Sequence, residues 1–286
     1  MMKSVFTFLF FVFVLFTACT KEYPGIEELD TKLVTDYITK NNLNVQEYNQ
    51  SSIYYQIVKQ GAGPDVDYTK QIPLIYTVKS LDGTFSSADT FTNRYADFFG
   101  YFRPDSLREI IKNKLLKQGG AVRIIIPSRF AFGKSGSGGI PGNSSLDYTI
   151  SVLTADKLPE YEDYLINKYI ETNSLTGFSK TASGLYYKIA ETGTGVETIN
   201  NLSLLTLEYT GKLFNGTVFD KTNTGATATL SLGNLIEGWK EGLPMIKKGG
   251  SIRLIIPSHL AYGLQGSGTI PPFSCLDFDI KVKDVQ

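Results

Sequence analysis

Along most of the chain, apolar positions fall in short, often alternating runs, such as 202–212 and 251–256, separated by Gly, Pro and Asn. That pattern predicts strands joined by turns. Asp82-Gly83 and Asn215-Gly216 stand where tight turns between strands are expected. Longer polar stretches compatible with helix precede each set of strands, at 31–43 and 158–175, and one further short helix is expected near 234–247. The fold class this predicts is α+β, mostly antiparallel sheet with few helices.

The N-terminus breaks the pattern. Lys3 precedes an apolar run over 5–18 that ends at Ala18-Cys19, the plan of a cleaved signal peptide over 1–18. The run falls short of the roughly 18 to 20 residues that a membrane-spanning helix needs. Phe16-Thr17-Ala18-Cys19 resembles the lipobox of bacterial lipoproteins, with Phe16 where leucine is usual; ordinary secretion is the alternative. The resemblance implies that Cys19 is the lipidation site and that 19–50 forms a tether and helical preface. The protein would then be exported to the bacterial cell envelope and held on a membrane, since several acyl chains anchor stably where one does not. The remaining cysteine, Cys275, is expected to be a buried small hydrophobe and not a disulfide partner.

Laying the chain on itself at an offset of 130 pairs 119–150 with 249–280, and 18 of those 32 positions are identical. Arg123 pairs with Arg253, Ile125-Ile126-Pro127-Ser128 with Ile255-Ile256-Pro257-Ser258, and Ile140-Pro141 with Ile270-Pro271. Tyr37-Ile38 and Tyr169-Ile170 match at a slightly larger offset, as do Tyr54-Tyr55 and Tyr186-Tyr187. A period this long is that of a duplicated domain and not of a solenoid, which agrees with 286 residues being long for one core.

Charge and chemistry narrow the function. Lys plus Arg equal Asp plus Glu at 28 each, so no charge excess points to nucleic acid. His259 is the only histidine, which excludes a histidine-rich metal site, and it is expected on a surface loop; no cofactor is expected. Gly133-Lys134-Ser135 lacks the earlier glycine of a phosphate-binding loop, Ser128 standing there.

The second copy carries, in order, Tyr209-Thr210-Gly211, Asn215-Gly216-Thr217-Val218-Phe219-Asp220, Leu232-Gly233, Ile236-Glu237-Gly238-Trp239, Lys248-Gly249-Gly250, Ile256-Pro257, Ala261-Tyr262-Gly263, Ile270-Pro271-Pro272 and Leu276-Asp277-Phe278. This series resembles the FKBP family of macrolide-binding proline isomerases. The resemblance implies two domains, each a five-stranded antiparallel sheet curled around a short helix: a degenerate one over 51–156 and an isomerase over 184–286, joined by a helical linker at 157–183. It implies a pocket of Tyr209, Phe219, Asp220, Trp239, Tyr262 and Phe278 as catalytic residues, with Leu235, Ile236 and Ile270 binding substrate. Trp239 would lie beneath the prolyl ring, Asp220 would orient Tyr209, and the Tyr262 hydroxyl and Ile236 N–H would hold peptide carbonyls. Ala228 stands where the family commonly has an aromatic, which implies a shallower rim and weaker macrolide binding.

In the first copy Ser86-Ser87 take the places of Phe219-Asp220, and Glu109, or Ile110 after a local shift, that of Trp239. Tyr76, Phe132, Ile140 and Tyr148 remain where Tyr209, Tyr262, Ile270 and Phe278 stand. Catalysis is therefore expected in the second copy alone, acting on proline-containing polypeptides. The alternative is a peptide-binding chaperone with little turnover. The aromatic-rich stretch 91–102 is expected either to cover the old pocket or to pack locally.

Overall fold

In the computed structural model, which describes residues 25–88 and 93–286, each half of the chain builds one antiparallel sheet. The expected signal segment, the lipobox and Cys19 lie outside the described residues. The first half runs α1 (Ile26–Lys40), β1 (Gln46–Tyr48), β2 (Ile53–Lys59), β3 (Leu74–Ser80), β4 (Ser86–Ser87), β5 (Arg94–Tyr95), α2 (Asp105–Ile110), β6 (Ala121–Ile126) and β7 (Leu146–Val152). The second runs α3 (Leu158–Thr172), β8 (Ser179–Lys180), β9 (Tyr186–Glu191), β10 (Leu204–Leu213), β11 (Val218–Lys221), β12 (Ala228–Ser231), α4 (Glu237–Gly242), β13 (Ser251–Ile256) and β14 (Leu276–Val285).

The sheet orders are β1-β2-β6-β7-β3-β4 and β11-β10-β14-β13-β9-β8, with β5 also on β3 and β12 also on β10. Each sheet thus has seven strands where five are expected. The difference lies at the edges. β12 pairs with the start of β10, Leu207 against Ala228, and β11 with its end, Gly211 against Asp220, so two short strands share one edge. A further short strand, β1 or β8, extends the opposite edge.

Period-two alternation sorts the central strands into two faces. On β13, Ile252, Leu254 and Ile256 join the core with Trp239, Leu243 and Phe278, while Ile255 joins a separate cluster with Leu165, Ile166 and Tyr169 of α3. The sheet is therefore covered on one face by α4 and on the other by α3. The inner helix is shorter than expected. Pro244, in the single turn that follows α4, lacks the N–H that would continue the ladder.

The outer helix docks in the same way in both copies. Arg253 grips the buried carboxylate of Asp277 with two bonds, Nε to Oδ1 at 2.9 Å and Nη2 to Oδ2 at 2.7 Å, and the Tyr169 hydroxyl of α3 donates to Oδ2 at 2.8 Å. Arg123, Asp147 and Tyr37 of α1 repeat this at 2.9, 2.6 and 2.8 Å. A bidentate guanidinium with a third donor satisfies a buried carboxylate that would otherwise be costly. The Tyr37/Tyr169 match in the sequence thus marks the residue that bolts each preface helix to its own sheet. Among the described residues no helix is long and apolar enough to cross a membrane.

A second bolt differs between copies. Asp30 of α1 accepts from the Ser128 and Ser145 hydroxyls, at 2.9 and 3.1 Å, and from the Arg129 N–H at 3.1 Å. Glu162 of α3 accepts from the Ser258 N–H at 3.1 Å, but Cys275 replaces the second serine and Glu162 Oε1 is buried without a partner. Burial pushes the Glu162 carboxyl above its usual range.

Two outcomes are expected. Arg253→Met leaves the buried Asp277 without its counter-charge, only the Tyr169 hydroxyl still donating to it, and should cost about 3–5 kcal/mol, read from the denaturant midpoint. Because the folded state raises the Glu162 pKa, that group's contribution is complete below its unfolded pKa and is lost as pH rises through the folded value. Glu162→Gln should therefore remove a loss of stability on going from acid to neutral pH, seen by comparing unfolding midpoints of the two chains across that range.

Candidate active site

Glycines bring α4 close to the sheet. A Cβ on Gly238 would lie 2.5 Å from Ile256 Cγ2, and one on Gly242 would lie 2.6 Å from Leu254. With these two positions bare, the helix rests directly on β13, and Trp239, one residue on from Gly238, lies at the base of a cavity of about 360 Å³. The side chain is 4 % exposed. Tyr209 and Phe278 stand nearly perpendicular to the indole, at 82° and 86°, with ring centres 5.3 and 5.1 Å away. Phe219 meets Phe278 edge-on at 5.4 Å. Floor and walls at right angles make an aromatic cup, an arrangement aromatic rings favour in any case.

Polar groups sit at the mouth. The Tyr209 hydroxyl donates to Asp220 Oδ2 at 2.8 Å, and the Tyr209 phenol is pushed up to about 12 by burial, then by the bond to Asp220 and its charge. Burial, and then the Asp220 charge, also raise the Tyr262 phenol. Both hydroxyls therefore remain protonated donors at neutral pH. Ile236 precedes the first turn of α4 in extended conformation, at φ −63° and ψ 152°, so its N–H lies outside the helical ladder. Trp239 Nε1 is buried with no hydrogen-bond partner.

All nine residues expected from the sequence, Tyr209, Phe219, Asp220, Leu235, Ile236, Trp239, Tyr262, Ile270 and Phe278, line this one cavity. Leu230, Asn234, Ser267, Gly268 and Thr269 line it too and were not anticipated. For Leu230 the alternation of β12 was the available signal. It, and not Ala228, is the β12 side chain that reaches the cavity.

Gly211 is the least conspicuous requirement. A Cβ there would lie 2.5 Å from Phe278 and 2.7 Å from Phe219. The first copy places Val78 at the same register, opposite Tyr148 and Ser87, as Gly211 is opposite Phe278 and Asp220. Its remaining cavity is about 190 Å³. Phe85 and Phe102 line it together with Val78, Phe102 lying 6.3 Å from Tyr76 and 5.0 Å from Tyr95. Ser87 faces Asn93, and among the described residues no carboxylate lines this cavity. Glu109 is exposed and Ile110 is in the core, and neither lines this cavity. Of the aromatic stretch, Phe99 and Phe102 are buried, while Phe98 and Tyr101 are exposed, so part of it packs over the old site.

The aromatic walls, with two phenols and one carboxylate at the rim, form a pocket that fits a small apolar ring. Residues 195–283 match the FKBP-type peptidyl-prolyl cis-trans isomerase family. The FKBP-type isomerase FkpA of Buchnera aphidicola subsp. Schizaphis graminum is 45 % identical over 115 residues, covering 40 % of this chain and 46 % of that protein. A probable FKBP-type isomerase of Haemophilus influenzae is 48 % identical over 108 residues, covering 37 % and 44 %. Among solved structures, that of FkpA from Escherichia coli aligns at 37 % identity and TM-score 0.41, over 46 % of this chain and 62 % of that one. That of AtFKBP13 aligns at 36 % identity and TM-score 0.35, over 39 % and 100 %. The match to the FKBP-type peptidyl-prolyl cis-trans isomerase family thus lies within the C-terminal copy. The chain spans less than half the length of the two sequence relatives.

Gly211→Val, which installs the residue of the first copy, should close the cup. Binding of a proline peptide, followed through Trp239 fluorescence, is expected to weaken at least tenfold with the chain still folded.

Proposed function

We propose that the C-terminal copy catalyses cis/trans isomerisation of X-Pro bonds in exported polypeptides. The observation that carries this reading is the cup itself, an aromatic floor and walls with two phenol hydroxyls and one carboxylate at the mouth. Rotation about an X-Pro bond meets a barrier of about 18–20 kcal/mol because twisting the amide breaks its resonance. No covalent step is required. Each 1.36 kcal/mol by which the twisted amide is bound better than the planar one raises the rate tenfold.

In this mechanism Trp239 lies under the prolyl ring, and Tyr209, Phe219 and Phe278 exclude water around it. The planar amide has the larger dipole and loses more on leaving water, so desolvation favours the twisted form. The Tyr262 hydroxyl and the Ile236 N–H hold the flanking carbonyls, while Leu235 and Ile270 bind apolar neighbours. Asp220 fixes the Tyr209 hydroxyl and places a negative charge beside the twisting amide. The smaller cavity of the first copy, lined by neither carboxylate nor tryptophan among the described residues, supports a non-catalytic role there. With Leu230 as the β12 side chain at the cup, macrolide binding would be weak. The sequence around Cys19 supports a lipid tether that keeps the enzyme at an envelope membrane.

Cis-to-trans conversion of a proline peptide tests the reading. The intact chain should accelerate it, and Trp239→Ala combined with Asp220→Ala should lower kcat/KM at least tenfold. Unchanged activity in the double variant would overturn the assignment.

A further inference from the structure

The two copies provide an internal control for one turn. In each, the loop after the Ile-Pro pair closes on itself, with the Asn143 N–H donating to Gly133 O at 2.7 Å and the Phe273 N–H to Gly263 O at 2.8 Å. Both residues lie in the left-handed region, at φ 58° and 39°. Asparagine tolerates that conformation, whereas a bulky aromatic adopts it only where its surroundings impose it. Asn143 is exposed; Phe273 is fully buried.

What buries Phe273 comes largely from outside its own sheet. Ala96 of the first copy and Leu158 of α3 cluster with it, and Ile75 and Leu153 pack against them. Arg94 of β5 lays its guanidinium 5.4 Å from the Phe273 ring centre and donates from Nη1 to the Phe273 carbonyl at 3.1 Å. Stacking and donation together use the flat, delocalised guanidinium, which a simple ammonium would only half replace. The same loop is held a second time where Gln265 Nε2 donates to Gln71 Oε1 at 2.9 Å.

This loop, 262–273, is also a wall of the cup. Tyr262, Ser267, Thr269 and Ile270 all line the cavity. Within the loop the backbone is cross-linked by the bridge between Ser267 and Ile270 and by the Phe273-to-Gly263 bond, so its return to the sheet passes through Phe273. The first copy therefore grips the catalytic wall at the point where its backbone conformation is least natural.

We propose that the first copy is a positioning device for the second: Arg94 and the socket around Phe273 hold loop 262–273 in the conformation that presents Tyr262 and Ile270 to a bound prolyl peptide. The proposal rests on the reading of the cup as the prolyl site. It gives the closed copy a role that requires no pocket of its own, and it makes Arg94 a positioning residue, acting on substrate through Phe273.

The experiment compares the full chain with Arg94→Met, Arg94→Lys and Phe273→Asn, the last restoring the residue of the first copy, which suits the turn. Three quantities are read: kcat and KM on a proline peptide, the peptide Kd from Trp239 fluorescence, and the unfolding midpoint. Arg94→Met should raise KM and Kd about fivefold with little change in kcat, emission of the free protein or midpoint; Phe273→Asn should raise KM and Kd as much and, by emptying a buried socket, also lower the midpoint. Arg94→Lys, which keeps the charge and a donor, should recover part of the loss. Wild-type KM and Kd in both disruptive variants would overturn the proposal, as would losses in Arg94→Met that follow the unfolding midpoint or the exposure of Trp239. A wild-type chain that binds the peptide without turning it over sinks the isomerase reading alone, because Kd still tests the clamp; one that does neither overturns both.

Discussion

Two aromatic rings, Phe219 and Phe278, meet over a position that holds no side chain. Their approach to Gly211 is so close that a single added carbon would lie 2.5 Å from one and 2.7 Å from the other. The cup depends on this. Phe278 can stand upright against the indole only because β10 is bare beneath it, and Phe219 can complete the wall only because Phe278 stands there. Interiors pack too densely to absorb an extra methyl at such a point without rearrangement. In the first copy Val78 occupies the same register, and the space that remains is about 190 Å³ against about 360 Å³, taken up by Phe85 and Phe102.

The scaffold around the cup is more uniform than the cup. Both sheets carry the Arg–Asp–Tyr network on their outer face, and both preface helices are fixed by it. An unpaired buried carboxylate would be strongly destabilising, so the arginine, aspartate and tyrosine must persist together or be lost together. The inner face is free to diverge, because apolar residues of different shape can fill it. This separates what folds the domain from what shapes the cup, and the two copies show the same scaffold with one open interior and one filled.

Much of this was legible in the sequence. The repeat, the turn glycines at 83 and 216, which adopt positive φ, and the nine residues now found around one cavity follow from local patterns and their order. Other features rest on distances across strands that periodicity does not encode. Gly211 stands within a quoted motif, yet its importance lies in the two rings on neighbouring strands. Phe102 belongs to the aromatic stretch expected to cover the old pocket or pack locally, but which of its rings lines that site is not encoded in the pattern. Phe273 reads as one substitution among many in the repeat; only its left-handed backbone and its burial against the first copy reveal it as a contact between domains.

One cup is open and the other shut, and calorimetric titration of the full chain with a proline-containing peptide tests this most directly. One binding site per chain is predicted, lost when Trp239 is replaced by alanine. Two sites per chain, or one that survives without Trp239, would contradict it.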